Sequence, residues 1–300
     1  MATVLFPIPR RDFDPTEVAV SWSVLTALGH TVRFATPDGA PGQADGIMLD
    51  GIGLDPWSRV PGLGRLRLIG LILRANADAR RAYARMIRDD AFQHPLRWDD
   101  LKAGDVDALL LAGGHRARGM REYLESPVLQ ALVAEAFAAG KPVAAICHGV
   151  LLAARSRDAT GRSVLYGRRT TALTWRQESA AGALAHVGRP WDRDYYRTYL
   201  EEGDQPRGYM SVEQEVTRAL RSPADFLDVP EGAPDRQRKT SGLHRDTLED
   251  PRPAWVVVDG NYVSARWPGD THLFAKTFAD VLARTPFTSP GGGNYPVDIP

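Results

Sequence analysis

The fold of this chain is decided by the segment Lys141-Pro-Val-Ala-Ala-Ile-Cys-His-Gly-Val-Leu-Leu-Ala-Ala154. The apolar run Val143 to Ile146 has the length of a buried parallel strand, and the Ala/Leu-rich run that follows Gly149 is typical of a helix. A strand, a sharp turn that carries a nucleophile and then a helix form a nucleophile elbow. A thiol at the start of a helix is also expected to favour the thiolate. Cys147, the one cysteine of the chain, is therefore the predicted nucleophile; a cysteine buried only for packing is the alternative.

Other parts of the chain repeat the order of strand and helix. Asp14 and Pro15 have the residue types of a helix cap and a first helical position, and this predicted helix separates two short apolar runs. Units of this kind build a mostly parallel sheet with helices on both faces, so the predicted fold class is α/β, doubly wound. The predicted strands cover residues 3–8, 30–36, 107–112, 143–146 and 169–174, and a terminal hairpin joins 255–259 to 262–265.

Two segments interrupt this pattern. Residues 40–100 begin as a Gly- and Pro-rich loop and continue with helical spacing over 65–91, and residues 188–253 are polar and rich in proline. Within the second segment we expect a helix over 211–220 and flexibility over 230–250. The prediction is one domain over residues 1–286 with two inserted lid segments, followed by a C-terminal tail at 287–300.

Composition narrows the range of partners. The 300 residues include 37 basic and 37 acidic side chains, and this balance favours neither nucleic acid nor an anionic membrane as a partner. No phosphate-binding loop, dinucleotide fingerprint or cluster of metal ligands is visible, so we expect no cofactor and no metal. The sequence also shows no export signal and no apolar run long enough to span a membrane, which predicts a cytoplasmic protein.

Four short motifs carry a resemblance to a known family. They are FDPTEVAV at 13–20, LLLAGGH at 109–115, AAICHGV at 144–150 and NYVSARWPGD at 261–270. In this order they resemble the ThiJ/PfpI superfamily, which has the class I glutamine amidotransferase-like, flavodoxin-like fold. The resemblance is strongest to the lid-bearing branch that includes heat-shock chaperones and glutathione-independent glyoxalase III.

The resemblance implies roles for individual residues. Cys147 would be the nucleophile, Glu17 the acidic residue beside the thiol, and His148 a general acid or base. The backbone N–H groups of Gly114 and His148 would form an oxyanion hole. From position alone, Glu17 would instead be a solvated charge in the first turn of a helix.

Further residues are candidates for the same site. The resemblance places an acidic residue shortly after the strand that follows the elbow, and Glu178 is the carboxylate nearest to that place, one or two residues late. Glu178 would orient the histidine of the elbow. Gly113 and His115 belong to the expected substrate-binding turn together with Gly114. Trp175 is expected to wall the pocket; Trp22 and Trp267 are also candidates for the wall, although core packing explains any of the three as well.

The predicted function is that of a cofactor-independent cysteine enzyme, a lyase, acting on a small reactive carbonyl compound. A glyoxalase III-like reaction would convert a 2-oxoaldehyde into a hydroxy acid. A hydrolase that uses the same thiol, such as an amidase, peptidase or hydratase, is one alternative. A non-enzymatic stress chaperone or redox sensor is another. The expected partner is a small carbonyl or amide substrate, and the resemblance implies a possible homodimer.

Overall fold

A seven-stranded sheet forms the centre of the protein. The computed structural model describes residues 1–286, and the predicted tail at 287–300 lies outside this range. The strand order is β5-β3-β1-β6-β7-β9-β8, and only β8 runs antiparallel to its neighbour. The strands of this sheet are β1 (Thr3–Pro7), β3 (Thr31–Thr36), β5 (Leu96–Arg97), β6 (Ala108–Leu111), β7 (Val143–Ile146), β8 (Val256–Asp259) and β9 (Tyr262–Ala265); β2 (Arg11–Phe13) and β4 (Gln43–Ala44) form a separate pair. The predicted α/β class with a mostly parallel sheet is confirmed.

Twelve α-helices surround this sheet within the described residues. They are α1 (Pro15–Ala27), α2 (Gly46–Asp50), α3 (Ile69–Leu73), α4 (Ala77–Met86), α5 (Asp90–Gln93), α6 (Ala117–Leu124), α7 (Pro127–Ala138), α8 (Gly149–Arg155), α9 (Trp175–Gly188), α10 (Val212–Ala219), α11 (Arg236–Thr240) and α12 (Thr271–Arg284). One packed group joins α1 to α4 and α12, and another joins α8 to α6, α7 and α10. None of these helices is long and apolar enough to cross a membrane.

The central strands are buried along their whole length. All four residues of β6 and all four of β7 are inaccessible to solvent. Because successive side chains of a strand point to opposite faces, both faces of the sheet are covered at this place. The Gly113-Gly114-His115 turn lies at the carboxyl end of β6, and the Cys147 elbow lies at the carboxyl end of β7.

Helix α1 begins beside the carboxyl end of β6. The Asp14 side chain accepts hydrogen bonds from the backbone N–H groups of Thr16, at 2.7 Å, and Glu17, at 3.0 Å. The backbone N–H of Asp14 donates to the carbonyl of Gly113 at 2.8 Å. The predicted cap is thus present, and it fixes the first turn of α1, including Glu17, against the Gly113 turn.

The first long connection, residues 37–107, differs from the predicted single helix. The helical spacing over 65–91 is divided between α3 and α4, with Asn76 as the cap of α4. Helix α4 packs along α1, and β5 pairs with β3 at the edge of the sheet. Part of this segment therefore completes the α/β core and does not form a separate insertion. The sequence did not predict this, because the two residues of β5 carry too little signal to be recognised as a strand.

The second long connection, residues 156–255, contains less regular structure than predicted. The prediction of a strand over 169–174 is wrong, because within this range only Thr170 forms an isolated β-bridge, to Phe226. The predicted helix is present as α10, capped by Ser211. The segment 230–250, for which we expected flexibility, contains α11 and the buried Asp246, which accepts hydrogen bonds from His272 at 3.1 Å and from the backbone of Leu273 at 2.7 Å.

Candidate active site

Cys147 occupies a strained turn between β7 and α8. Its φ is +57°, a conformation that non-glycine residues seldom adopt. The backbone N–H of Cys147 donates to the carbonyl of Ala265 in β9 at 3.1 Å, and the residue is only 5% exposed. Such strain persists where the surrounding structure holds it in place, and it is typical of nucleophile elbows.

Two glycines let the strand ends approach the elbow. A Cβ added at Gly149 would lie 2.1 Å from the carbonyl oxygen of Leu111, and one added at Gly113 would lie 2.7 Å from the backbone nitrogen of His148. Neither distance is compatible with a side chain. Glycine at both positions therefore allows the Gly113 turn to pack directly against the Cys147 turn.

Glu17 lies beneath this contact and is fully buried. Its Oε2 accepts a hydrogen bond from the backbone N–H of Gly113 at 2.7 Å. Its Oε1 is buried and has no hydrogen-bond partner among residues 1–286. Burial is the main cause that raises the pKa of Glu17 well above its usual range, and the charge of Asp14 raises it further. The interaction with the adjacent Cys147 thiol acts in the opposite direction and lowers this pKa. Glu17 is thus a buried carboxyl beside the sulfur, not a solvated charge, and its carboxylate takes up a proton more readily than an exposed one.

The pKa of the Cys147 thiol is shifted in the opposite direction from the one that its place at a helix start predicts. Burial raises its pKa well above the usual value, and the charges of Glu17 and Asp14 raise it further; the backbone N–H of His148 acts in the opposite direction. These directions oppose the predicted preference for the thiolate. The physical reason is that desolvation and two neighbouring carboxyls outweigh the dipole of a seven-residue helix.

His148 contacts the sulfur directly. Its Nδ1 lies 3.5 Å from Sγ of Cys147, and burial lowers its pKa to about 3. The imidazole is therefore neutral at physiological pH and has one nitrogen that can accept a proton. Of the two groups next to the sulfur, the carboxylate of Glu17 is consequently the stronger base.

Glu178 is buried near the cavity, but its hydrogen bonds are made elsewhere. Its Oε2 accepts from the backbone N–H of Val212 at 3.0 Å, and its Oε1 lies 3.2 Å from Nε of Arg197. Burial raises the pKa of Glu178 to about 7. The structure thus uses both oxygens of Glu178 to attach α9 to the start of α10 and to Arg197, and does not bring this carboxyl to His148.

The remaining predicted residues separate into two groups. Gly114 and His115 line the cavity beside Cys147. The His115 ring stacks on Tyr196 with 4.0 Å between centroids, and burial lowers its pKa to about 4, so it is also neutral. Trp175, by contrast, does not line the cavity; it packs against Gly208 and lies under the guanidinium of Arg197, 5.2 Å from the ring centroid.

The cavity itself has a volume of about 320 Å³ and a mainly apolar wall. The sheet side of this wall consists of Asp14, Glu17, Gly114, His115, Cys147, Trp267 and Pro268. The first long connection adds Met48, Ile72 and Leu73; the second adds Leu173, Arg176, Gln177, Glu178, Ala180, Ala181, Leu184, Tyr196, residues 240–243 and Arg245. No motif pointed to Tyr196 or Arg245. Among residues 1–286, no three His, Cys, Asp or Glu side chains are grouped to hold a metal ion.

An α/β sheet with a strained cysteine at a strand-to-helix turn, beside a buried carboxyl, defines a class of proteins built around a cysteine elbow. The model of the ThiJ/PfpI family-like proteins matches residues 8–206, and the chain belongs to this family.

Individual relatives are distant. A curated protein, the glutathione-independent glyoxalase hsp3102 of Schizosaccharomyces pombe, is 28% identical over 107 residues, which is 35% of this chain and 44% of that protein. Among solved structures, glyoxalase III from Candida albicans superposes with a TM-score of 0.57 at 16% identity, covering 93% and 96% of the two chains. Rapid Encystment Protein 24 kDa from Francisella tularensis superposes with a TM-score of 0.59 at 15% identity, covering 94% and 99%. These structural similarities concern the fold.

Proposed function

We propose that this protein is a cofactor-independent enzyme that converts a 2-oxoaldehyde into a 2-hydroxy acid through Cys147. The observation that carries the proposal is the position of one sulfur between a buried carboxyl and a neutral imidazole in the wall of a small cavity. The relative hsp3102 is named a glutathione-independent glyoxalase, and this supports the choice of substrate class.

The first step is the attack of the sulfur on the aldehyde carbon. The carbon–sulfur bond forms while the thiol proton passes to Glu17, whose raised pKa makes its carboxylate a better acceptor than His148. Since Oε2 of Glu17 is held by Gly113, the free Oε1 is the oxygen that takes the proton. Glu17 then returns this proton to the former aldehyde oxygen, which gives a neutral hemithioacetal and restores the carboxylate for the second step.

The second step moves a proton between adjacent carbons. The hydrogen on the former aldehyde carbon leaves as a proton and the neighbouring ketone carbon gains one, so the first carbon is oxidised to a thioester and the second is reduced to an alcohol. Glu17, with His148 as the second candidate, carries the proton. Water then cleaves the carbon–sulfur bond and releases the hydroxy acid, without any external oxidant or reductant.

Negative charge on the substrate oxygen needs hydrogen-bond donors near the sulfur. The N–H of Gly113 is already used by Glu17, whereas Gly114 lines the cavity and the N–H of His148 acts on the thiol. The N–H groups of Gly114 and His148 are therefore the donors we assign to the oxyanion.

The direct test is the formation of D-lactate from methylglyoxal without glutathione. We expect the wild-type protein to be active and the Cys147→Ala variant to lose at least about 1000-fold in kcat/KM, because covalent catalysis needs the sulfur. Thermal melting and circular dichroism would establish that the variant is folded. A wild-type protein that is inert towards methylglyoxal and longer 2-oxoaldehydes would contradict the proposal.

A second variant isolates the proton carrier. Glu17→Gln keeps an oxygen for the Gly113 N–H but cannot take up a proton, so kcat should fall by about 100- to 10,000-fold. The exposed Glu135 on α7 provides a matched control, since Glu135→Gln removes a carboxyl far from the cavity lining. Equal activity of the two variants would assign proton transfer to another group.

A further inference from the structure

Arg245 presents a buried guanidinium group in the wall of the catalytic cavity. It belongs to the second long connection and to none of the four motifs. Its Nη2 donates to the carbonyl oxygen of Leu73 at 3.3 Å, and its guanidinium carbon lies 5.3 Å from the ring centroid of Trp267. Leu73 and Trp267 also line the cavity. The guanidinium is therefore held in place by two other parts of the wall.

This positive charge lacks a salt bridge. Among residues 1–286, no carboxylate lies within ion-pair distance of Arg245, and its Nη1 is buried without a hydrogen-bond partner. The adjacent Asp246 is already engaged by His272 and by the backbone of Leu273. Burial lowers the pKa of Arg245, yet arginine keeps its proton in proteins. A cation in a cavity wall that has no ion-pair partner gains when an anion approaches it.

Among the residues that the structure describes, no carboxyl that shares the cavity forms an ion pair with this cation. The charges of Asp14 and Glu17 act on Arg245, but neither carboxyl has an oxygen within ion-pair distance of it. One oxygen of Asp14 is also occupied by the helix cap. Glu178 is engaged by Arg197 and by the backbone of Val212.

A second arginine of the cavity wall also lacks a carboxylate partner. Arg176 lines the exposed part of the cavity wall and takes part in no salt bridge within the described part of the chain. The cavity wall thus carries two guanidinium groups without carboxylate partners, while the protein as a whole has a net charge of zero. A ligand of this cavity gains from carrying a negative charge.

We propose that the natural substrates carry a carboxylate group, and that Arg245 binds this carboxylate while the carbonyl group is presented to Cys147. The inference rests on the proposed function and makes its substrate class specific: short 2-oxoaldehydes with a carboxylate at the far end. Arg245 would act as a specificity-determining residue, because planar guanidinium and carboxylate groups pair through two parallel hydrogen bonds.

The experiment compares an acid with its ester. We would measure kcat/KM of the wild-type protein for 4,5-dioxopentanoate, which would give 2-hydroxyglutarate, and for its uncharged methyl ester. The acid should be preferred at least about 10-fold, mainly through a lower KM. Arg245→Met should abolish this preference by raising KM for the acid far more than KM for the ester, and Arg245→Lys should restore part of it. Arg65→Met, which removes an exposed arginine outside the cavity lining, should have no effect.

A binding measurement separates this inference from the proposed function. Levulinate is an unreactive methyl ketone acid, so its calorimetric binding to the Cys147→Ser variant can be compared with that of methyl levulinate and needs no turnover. Levulinate binding that depends on Arg245 supports the carboxylate site even if no 2-oxoaldehyde is turned over, which would overturn the proposed function alone. Turnover of acid and ester at equal rates by the wild-type protein, with equal binding of levulinate and its ester, would overturn the carboxylate site and leave the proposed function standing.

Discussion

The two sides of the catalytic cavity are built in different ways. The sheet side presents Glu17, His115 and Cys147 from turns and a helix start next to β6 and β7, and these residues are locked by backbone hydrogen bonds and close glycine contacts. The two long connections contribute mainly leucine, isoleucine and alanine side chains, together with Arg176 and Arg245. Reactive groups therefore lie on the rigid side, and the groups suited to recognise a substrate lie on the other.

Packing around glycine differs between the elbow and the middle of α9. A Cβ at Gly149 would meet the carbonyl oxygens of Leu111 and Ala112 at 2.1 and 2.9 Å. In α9, the nearest atom to a Cβ at Gly182 is Cβ of Tyr196, at 4.0 Å. The same substitution at the two glycines therefore measures how closely each of these two positions is packed.

The largest effect is expected from Gly149→Ala. The new methyl group would overlap backbone atoms that cannot move without displacing β6, so we expect a loss of about 3 kcal/mol or more in the free energy of unfolding. Gly182→Ala should change stability little or raise it by up to about 1 kcal/mol, because alanine is the better helix former. Urea denaturation of both variants gives the comparison. Similar losses at both positions would show that the middle of α9 is packed as closely as the elbow.

A pH-dependent effect of up to about 3 kcal/mol is expected from Glu178, which attaches α9 to α10 and to Arg197. Its pKa is about 7 in the folded protein and 4.5 ordinarily, so the unfolded chain loses the proton at a lower pH than the folded protein. Stability contributed by this group is complete below about pH 4.5 and is lost as the pH rises to about 7. Between pH 5 and pH 8, the stability of wild type relative to Glu178→Gln should fall by roughly 2 to 3 kcal/mol.

The measurement for Glu178 is a series of urea denaturation curves at pH 5, 6, 7 and 8. Glu135→Gln controls for the loss of one carboxyl at an exposed position of α7. A constant difference between wild type and Glu178→Gln over this range would show that the carboxyl is ionised in the folded protein throughout. Its ion pair with Arg197 would then outweigh the cost of burial.

The sheet side was predictable from the sequence because its signals are local. A four-residue apolar run predicts β7, an Asp-Pro pair predicts the start of α1, and a Cys-His-Gly turn predicts the elbow. These signals come from backbone requirements of single elements. The protonation state of Cys147 was not predictable in the same way, because it depends on burial by residues distant in the sequence.

The long connections were less predictable because their contacts join segments far apart in the chain. Tyr196 stacks on His115, Arg245 contacts Leu73, and Glu178 binds Val212 and Arg197. No local pattern encodes such pairs. The family resemblance predicts that Glu178 orients His148, whereas the orientation of α9 places its carboxyl towards α10.

An effect near 1 kcal/mol is expected at Cys147 itself, where the sheet side stores strain. At φ +57°, a non-glycine residue is strained, so Cys147→Gly should be as stable as Cys147→Ala or more stable, by about 1 kcal/mol. In an ordinary helix or strand the order would be reversed, since glycine is the less stable residue there. Thermal unfolding of the two variants would show which of them is the more stable. A clearly less stable Cys147→Gly variant would mean that the turn is not strained in solution.

The smallest effect is expected from Leu68→Ser in the first long connection. The Leu68 side chain is 63% exposed, and the contact that fixes this residue is made by its backbone N–H, which donates to Asp55 at 3.0 Å and is kept in the variant. Stability should therefore change by no more than about 0.5 kcal/mol. Leu110→Ala, in the buried strand β6, is the matched control on the sheet side and should cost about 2 to 5 kcal/mol. If Leu68→Ser approached the cost of Leu110→Ala, the exposed leucine would have to be covered in solution, and sedimentation of the two variants at several concentrations would show whether a second copy of the chain covers it.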